Sequence, residues 1–199
     1  MSTPAKVDRA GSKRRRLVEI GVQLLDEMPY ADITITAITV RAGMTRGLFF
    51  YYFGDKDAYF DQVVAAFLDL QRARFAANDP QAADNPAAWL RAEIDAFLDI
   101  MDAHPQSMRT LMEQHWSSQV DDAGATMSDL TAARVTRAFA LPEHDPVLRA
   151  LLVSWGLHCV DTALRVQRTG TWDRVLVGAV LEAELHAVLA TYRAPRTSV

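Results

Sequence analysis

Covalent cross-links and bilayer anchors are almost missing from this sequence of 199 residues. A single cysteine, Cys159, excludes any internal disulfide and suits a reducing compartment. No stretch approaches the roughly 18 consecutive apolar residues that cross a membrane, and the N-terminus lacks the apolar core of a signal peptide. A cytoplasmic location is therefore expected, with no membrane partner. The five histidines, His104, His115, His144, His158 and His186, are scattered without ligand spacing, so neither metal nor other cofactor is expected. Nowhere do a nucleophile, a base and an orienting group recur in an enzymatic pattern, which argues against catalysis.

What is present is an ordinary globular balance: half the residues are hydrophobic and 23% are charged, which excludes a disordered chain. The net charge is -4 but unevenly spread. Residues 1–56 hold nine Lys and Arg against six Asp and Glu, a balance of +3, while the remainder hold twelve against nineteen, a balance of -7. A basic head on an acidic body suits local contact with phosphates.

Period-two alternation persists nowhere, so an all-α chain is expected, with a three-helix head over 1–56 and a larger helical body over 57–199. Residues 1–12 are small and polar and read as an unstructured start. Leu17, Ile20, Gly21, Leu24, Leu25 and Met28 then recur at helical spacing, predicting a first helix over about 12–28, closed by Pro29. Thr34 is placed to cap a second helix bearing Ile35, Ile38 and Ala42, with Gly43 just past its end, and a third helix follows Thr45. Asp55 caps a fourth, reaching about residue 77. Further helices are expected from Trp89 to Met101, from Pro105, over about 126–139, and at 147–168 and 172–192.

The second and third helices, joined by Gly43-Met44-Thr45, form a helix-turn-helix corner. Phe49 and Phe53 lie four apart and face inward with Met44 and Ile38, leaving Arg46, Gly47, Leu48 and Tyr51 outside. An arginine for guanine edges, a glycine for close backbone approach, an apolar side chain for a thymine methyl and an aromatic ring are groove-facing chemistry. Tyr52 and Lys56 flank this face as phosphate contacts, Thr34 and Thr45 sit at the helix starts, and together these eight residues are the expected DNA-binding set. The competing reading is that Phe49 to Phe53 are simply core, yet a helix turning about 100° per residue cannot bury five adjacent rings. The stretch from Thr34 to Tyr59 resembles the DNA-binding signature of the TetR family of transcriptional regulators, with Ile38, Ala42-Gly43, Phe53 and Lys56 at matching positions. Two residues depart from the pattern: Phe50 stands where the family usually has a phosphate-binding Tyr, and Thr39 where it has Ala. The resemblance implies a homodimer on double-stranded operator DNA. Upstream, Lys13 to Arg16, with Lys6 and Arg9, either lie along phosphates, reach into a minor groove or form a solvated helix end.

In the body, the helices at 147–168 and 172–192 are apolar almost all round and need cover on two sides, which a second subunit supplies as a four-helix bundle. Trp89, Phe97, Met101, Met112, His115, Trp116, Trp155 and His158 are candidates to line a pocket for a small apolar effector, with either histidine able to orient a polar group. The alternative for these residues is ordinary core. Ligand-released repression is the expected activity, with activation or ligand-blind regulation on the same fold, or small-molecule binding without DNA function, as the alternatives.

Overall fold

A computed structural model describes residues 4–80, 85–113 and 126–194, and among these it is helical with no strand. The elements are α1 (Pro4–Glu27), a 3-10 turn (Tyr30–Asp32), α2 (Ile35–Ala42), α3 (Arg46–Phe53), α4 (Lys56–Ala76), α5 (Pro86–Ala103), α6 (Pro105–Glu113), α7 (Met127–Ala138), α8 (Pro146–Arg168) and α9 (Arg174–Arg193). The expected helices are there among the described residues with one correction: the stretch expected to be irregular up to residue 12 is helical from Pro4, where α1 begins. Pro is tolerated at the first helical position, where its missing N–H had no partner to lose, and the Ala, Lys and Arg that follow are good helix formers.

Two compact units divide the chain. The first takes the described residues up to Gln71 together with those from His104 to Glu113, so it reaches beyond the expected boundary at residue 56. The reason is packing: Tyr59, Phe60 and Val63 of α4 share one core with Leu17, Ile20, Leu24 and Leu25 of α1, Ile33, Ile38 of α2, and Phe49 and Phe53 of α3. Each such side chain contributes about 1.5–3 kcal/mol on burial. The short α6 joins this unit through α1, where Asp26 accepts from the buried Ser107 hydroxyl and lies 2.8 Å from His104 Nδ1.

The second unit takes the described residues from Arg72 to Ala103 and from 126 onward. Its core gathers Trp89, Leu90, Ile94 and Leu98 of α5, Ala132 and Val135 of α7, Leu148, Leu152 and Trp155 of α8, and Val177, Leu181, Leu185 and Leu189 of α9. One charged pair is embedded there. Arg134 of α7 donates from Nε and Nη2 to the Glu93 carboxylate (2.6 and 2.8 Å), and from Nη2 also to the carbonyls of Phe75 and Asn78 (2.7 Å each). Those carbonyls lie at the end of α4, where the helix runs out of N–H donors of its own, so the guanidinium helps to cap them.

α8 and α9 are long and apolar enough by composition to cross a membrane, with a third or less of that length buried within the chain. Their uncovered side is regular. On α9, Leu176, Val180, Ala183, Ala187, Ala190 and Thr191 fall on one helical face and are all exposed; on α8, Val147, Leu151, Ser154 and His158 do the same.

Candidate nucleic-acid interface

The corner formed by α2 and α3 is fixed at its ends by hydrogen bonds that the sequence encodes locally. Thr34 and Thr45 adopt extended backbone and their Oγ1 atoms accept from Ala37 N–H and Leu48 N–H (3.1 and 3.3 Å). Between them Gly43 takes the left-handed conformation (φ 64°) that ends α2, and the next amide, Met44 N–H, donates back to Thr39 carbonyl at 2.9 Å. Ile38, Phe49 and Phe53 point into the core. The aromatic run is thereby split: Phe49 and Phe53 anchor α3, and Tyr59 packs against both rings at about 5 Å between centroids. Thr39, the departure from the family pattern, is buried, and its hydroxyl donates to the Ile35 and Thr36 carbonyls, so the extra polar atom is satisfied within its own helix.

That anchoring decides what faces outward. Arg46, Gly47 and Tyr51 are exposed, Tyr51 at 79%, with Leu48 and Tyr52 half-buried at the edges of the same surface. Thr34 and Thr45 are exposed as well; each hydroxyl accepts in its cap and keeps its own proton for an external acceptor. Phe50 is 42% exposed and stands edge-on to Phe49. Two residues that sequence reasoning missed complete the surface. Thr36 accepts from Arg46 Nη1 at 3.3 Å, and Val40, one turn further along α2, is 75% exposed. Their spacing from Ile38 carried the signal, since positions 36 and 40 fall away from the buried face of α2. Arg41 is engaged elsewhere, paired with Glu27 of α1, which holds the Glu27 carboxyl below its ordinary range.

Lys56 is placed differently from the others. Its Nζ donates to Tyr30 carbonyl at 3.1 Å and lies 4.1 Å from the centroid of the Tyr30 ring, where partial burial lowers its pKa. The Tyr30 hydroxyl in turn donates to Asp57 at 2.6 Å. One ammonium proton is therefore committed to the head's own fold, and the rest remain for an anion.

The expected effector residues are divided between the two units. Trp89 and Trp155 are core, and their indole N–H groups donate to Asn78 and Leu181 carbonyls. Phe97 packs against the same core and Met101 is fully buried. Met112 lies on α6 in the first unit, and His158 sits on the outward face of α8 beside Thr162 and Glu184. His115 and Trp116 fall outside the described residues.

A sequence profile for bacterial regulatory proteins of the tetR family matches residues 17–63, from the first buried residue of α1 to the Val63 that closes the head's core. The likeness to that family is thus carried by the head. Among curated relatives, the chain is 29% identical over 126 residues to the HTH-type transcriptional regulator BetI of Stenotrophomonas maltophilia, covering 63% of this chain and 60% of that protein. It is 32% identical over 106 residues to BetI 1 of Chromohalobacter salexigens, covering 53% and 52%. The chain thus spans little more than half the length of these relatives. A crystal structure of a tetR-family transcriptional regulator from Streptomyces coelicolor superposes with TM-score 0.75 at 19% identity, over 92% of this chain and 85% of that one. A TetR-like regulator from Rhodococcus sp. RHA1 superposes with TM-score 0.64 at 18% identity, over 89% and 96%. The likeness of fold to these two structures therefore extends beyond the residues that the profile matches.

Proposed function

We propose that this chain is a homodimeric, cytoplasmic regulator of transcription that binds operator DNA through α3 and its flanking caps, acting as a repressor that a small molecule releases. One observation carries the DNA-binding reading: α3 is anchored by Phe49 and Phe53 and presents Arg46, Gly47 and Tyr51 to solvent. Arg46 is the base-reading side chain, suited to the paired acceptors of guanine in the major groove. Thr34, Thr45, Tyr52 and Lys56 contact phosphates, and Leu48 meets a thymine methyl. Thr36 steadies Arg46 from the neighbouring helix.

Support for the dimer comes from the uncovered apolar faces of α8 and α9 and from the cleft of about 470 Å³ between them, lined by Val147, Leu151, Ala187, Val188, Thr191 and Tyr192. A second copy of the same two helices fills such a cleft in a four-helix bundle. A dimer reads half-sites about one helical turn apart, so an effector that favours one of two dimer conformations controls affinity by population shift. The aromatic and methionine content of the body suits an apolar effector.

Gel-shift and footprinting on the DNA flanking its own coding region test this reading, with mass spectrometry of co-purified small molecules identifying the effector. A protected palindromic site is the expected result. No retardation of that DNA, with the dimer intact, would sink it.

A further inference from the structure

The geometry points to a second DNA contact surface on α1, in which Lys13 and Arg14 grip phosphates beside the groove that α3 enters. The inference rests on the DNA-binding reading above and adds to it residues that no part of the α2 to α3 corner includes.

Four observations carry it. First, the start of α1 is cationic out of proportion to the chain: residues 4–16 hold Lys6, Arg9, Lys13, Arg14, Arg15 and Arg16 against the single acid Asp8, a balance of +5 in a protein of net charge -4. Second, residues 11–16 are all exposed, and the first buried side chain described on α1 is Leu17. Third, the register is informative. Lys13 and Arg14 precede Leu17 by four and three residues, so they continue the face that Leu17, Ile20 and Leu24 bury, whereas Arg15, two residues before Leu17, falls on the opposite side. The core-facing side of α1 thus changes from apolar to cationic where the core ends, and the chain leaves that side uncovered. Fourth, the Arg14 guanidinium lies 6.0 Å from the centroid of Phe53, the last residue of α3. This places the cationic face next to the end of the recognition helix.

Electrostatics gives the surface its partner. Lys13 and Arg14 lie beyond the first turn of α1, out of reach of its dipole, and Lys13 and Arg16, three residues apart, repel one another. Among the described residues the neighbour of the Arg14 guanidinium is the Phe53 ring, which is not an anion. A phosphate backbone running past α3 supplies the missing anions at regular spacing.

The test compares K13Q, R14Q and R15Q in the full-length chain, measuring binding to a mixed-sequence duplex by fluorescence anisotropy across a salt series. K13Q and R14Q are each expected to reduce the slope of log affinity against log salt by about 0.9 for every head engaged, and R15Q by less than half of that. Equal reductions in K13Q and R15Q mean a general charge effect and overturn the proposal; so does an unchanged slope in K13Q. A loss that varies with the A·T content of the flanking duplex at constant slope also overturns it, because it indicates minor-groove insertion instead. R14Q removes a contact with Phe53, so thermal melting accompanies each variant, and the exposed Lys13 retains the readout if R14Q unfolds. Failure of the unaltered protein to bind any duplex is a separate outcome, which removes the DNA-binding reading itself.

Discussion

The hydroxyl of Tyr59 occupies the space that Gly21 leaves by having no side chain, and from there it donates to Leu17 carbonyl at 2.8 Å. A Cβ at position 21 would overlap both that hydroxyl and the Val63 side chain. This close approach seats α1 on α4 and sets the frame from which α2 and α3 are hung. Gly21→Ala is therefore expected to destabilise the first unit by about 1–3 kcal/mol through overpacking, despite the better helix propensity of Ala. Tyr59→Phe removes the hydrogen bond and costs about 1 kcal/mol, leaving Leu17 carbonyl to its own helix. Chemical denaturation measures both, and a neutral Gly21→Ala would contradict the packing described.

Gly47 presents the opposite case. Nothing lies within 4 Å of a Cβ built there, so Ala is accommodated by the fold and raises helix stability by up to about 1 kcal/mol. If the α3 backbone approaches DNA closely at this point, the same methyl group weakens binding. Opposite signs are thus expected for Gly47→Ala, higher thermal stability with lower operator affinity. A variant that gains stability and binds as before would remove Gly47 from the contact surface. Arg46→Ala, by comparison, should lose about 1–3 kcal/mol of discrimination at one base pair while its affinity for mismatched duplexes changes little.

The head was largely legible because its determinants are local. Thr34, Gly43, Thr45 and the four-residue spacing of Phe49 and Phe53 act through backbone geometry and helical register, which a sequence displays directly. Side-chain partners distant in sequence were not legible. Lys56 looked like a free phosphate ligand, and only the fold brings Tyr30, twenty-six residues earlier, beneath its ammonium. Arg134 reaching Glu93 across forty-one residues is the same kind of event, as is Arg46 meeting Thr36. The chemistry of His158 suits a ligand contact, and its register on α8, which turns it to the uncovered face, is visible only once the neighbouring helices are in place. Composition identifies what a side chain is able to do, and tertiary placement decides whether it does so.

Arg134 is expected to be the most costly charged residue to remove from the second unit. Truncation to Ala strands the Glu93 carboxylate, which is only 7% exposed, and leaves the Phe75 and Asn78 carbonyls with one donor each, Asn78 N–H and the Trp89 indole. A loss of about 3–5 kcal/mol follows for breaking one side of a buried pair. Arg134→Lys keeps the charge but cannot span the carboxylate and both carbonyls, so it recovers only part of the loss. Unfolding curves in which Arg134→Lys equals the unaltered protein would show that the fork geometry is irrelevant.

The faces of α8 and α9 make the dimer testable by a single charge. Val180 and Leu151 are exposed in the isolated chain and are buried in the proposed bundle. Val180→Glu or Leu151→Glu therefore leaves the subunit's own fold intact, because neither residue belongs to its core. Each places an unpaired carboxylate at the centre of the interface, repeated by symmetry, and is expected to shift sedimentation from dimer to monomer. DNA affinity should fall with it, since one head alone reads one half-site. Dimers that persist in both variants would exclude this face.

Acid sensitivity has a defined contributor in α7. Thr126 N–H donates to Asp129 Oδ2 at 3.0 Å, and Asp129 N–H donates to Thr126 Oγ1 at 3.1 Å, a reciprocal cap that Arg149 extends with a 2.6 Å bond to Asp129 Oδ1. The backbone hydrogen bond from Thr126 is the main cause that holds the Asp129 pKa below its ordinary 3.8. A carboxyl whose pKa is lower in the folded state binds its proton more readily when unfolded. Its contribution is therefore complete above pH 3.8 and is lost as pH falls through the lowered folded value. Asp129→Asn is expected to cost about 1 kcal/mol at neutral pH. Chemical denaturation repeated from pH 7 downward should show the two proteins converging only in the acid range. Parallel curves across that whole range would show that the cap does not depend on the charge of Asp129.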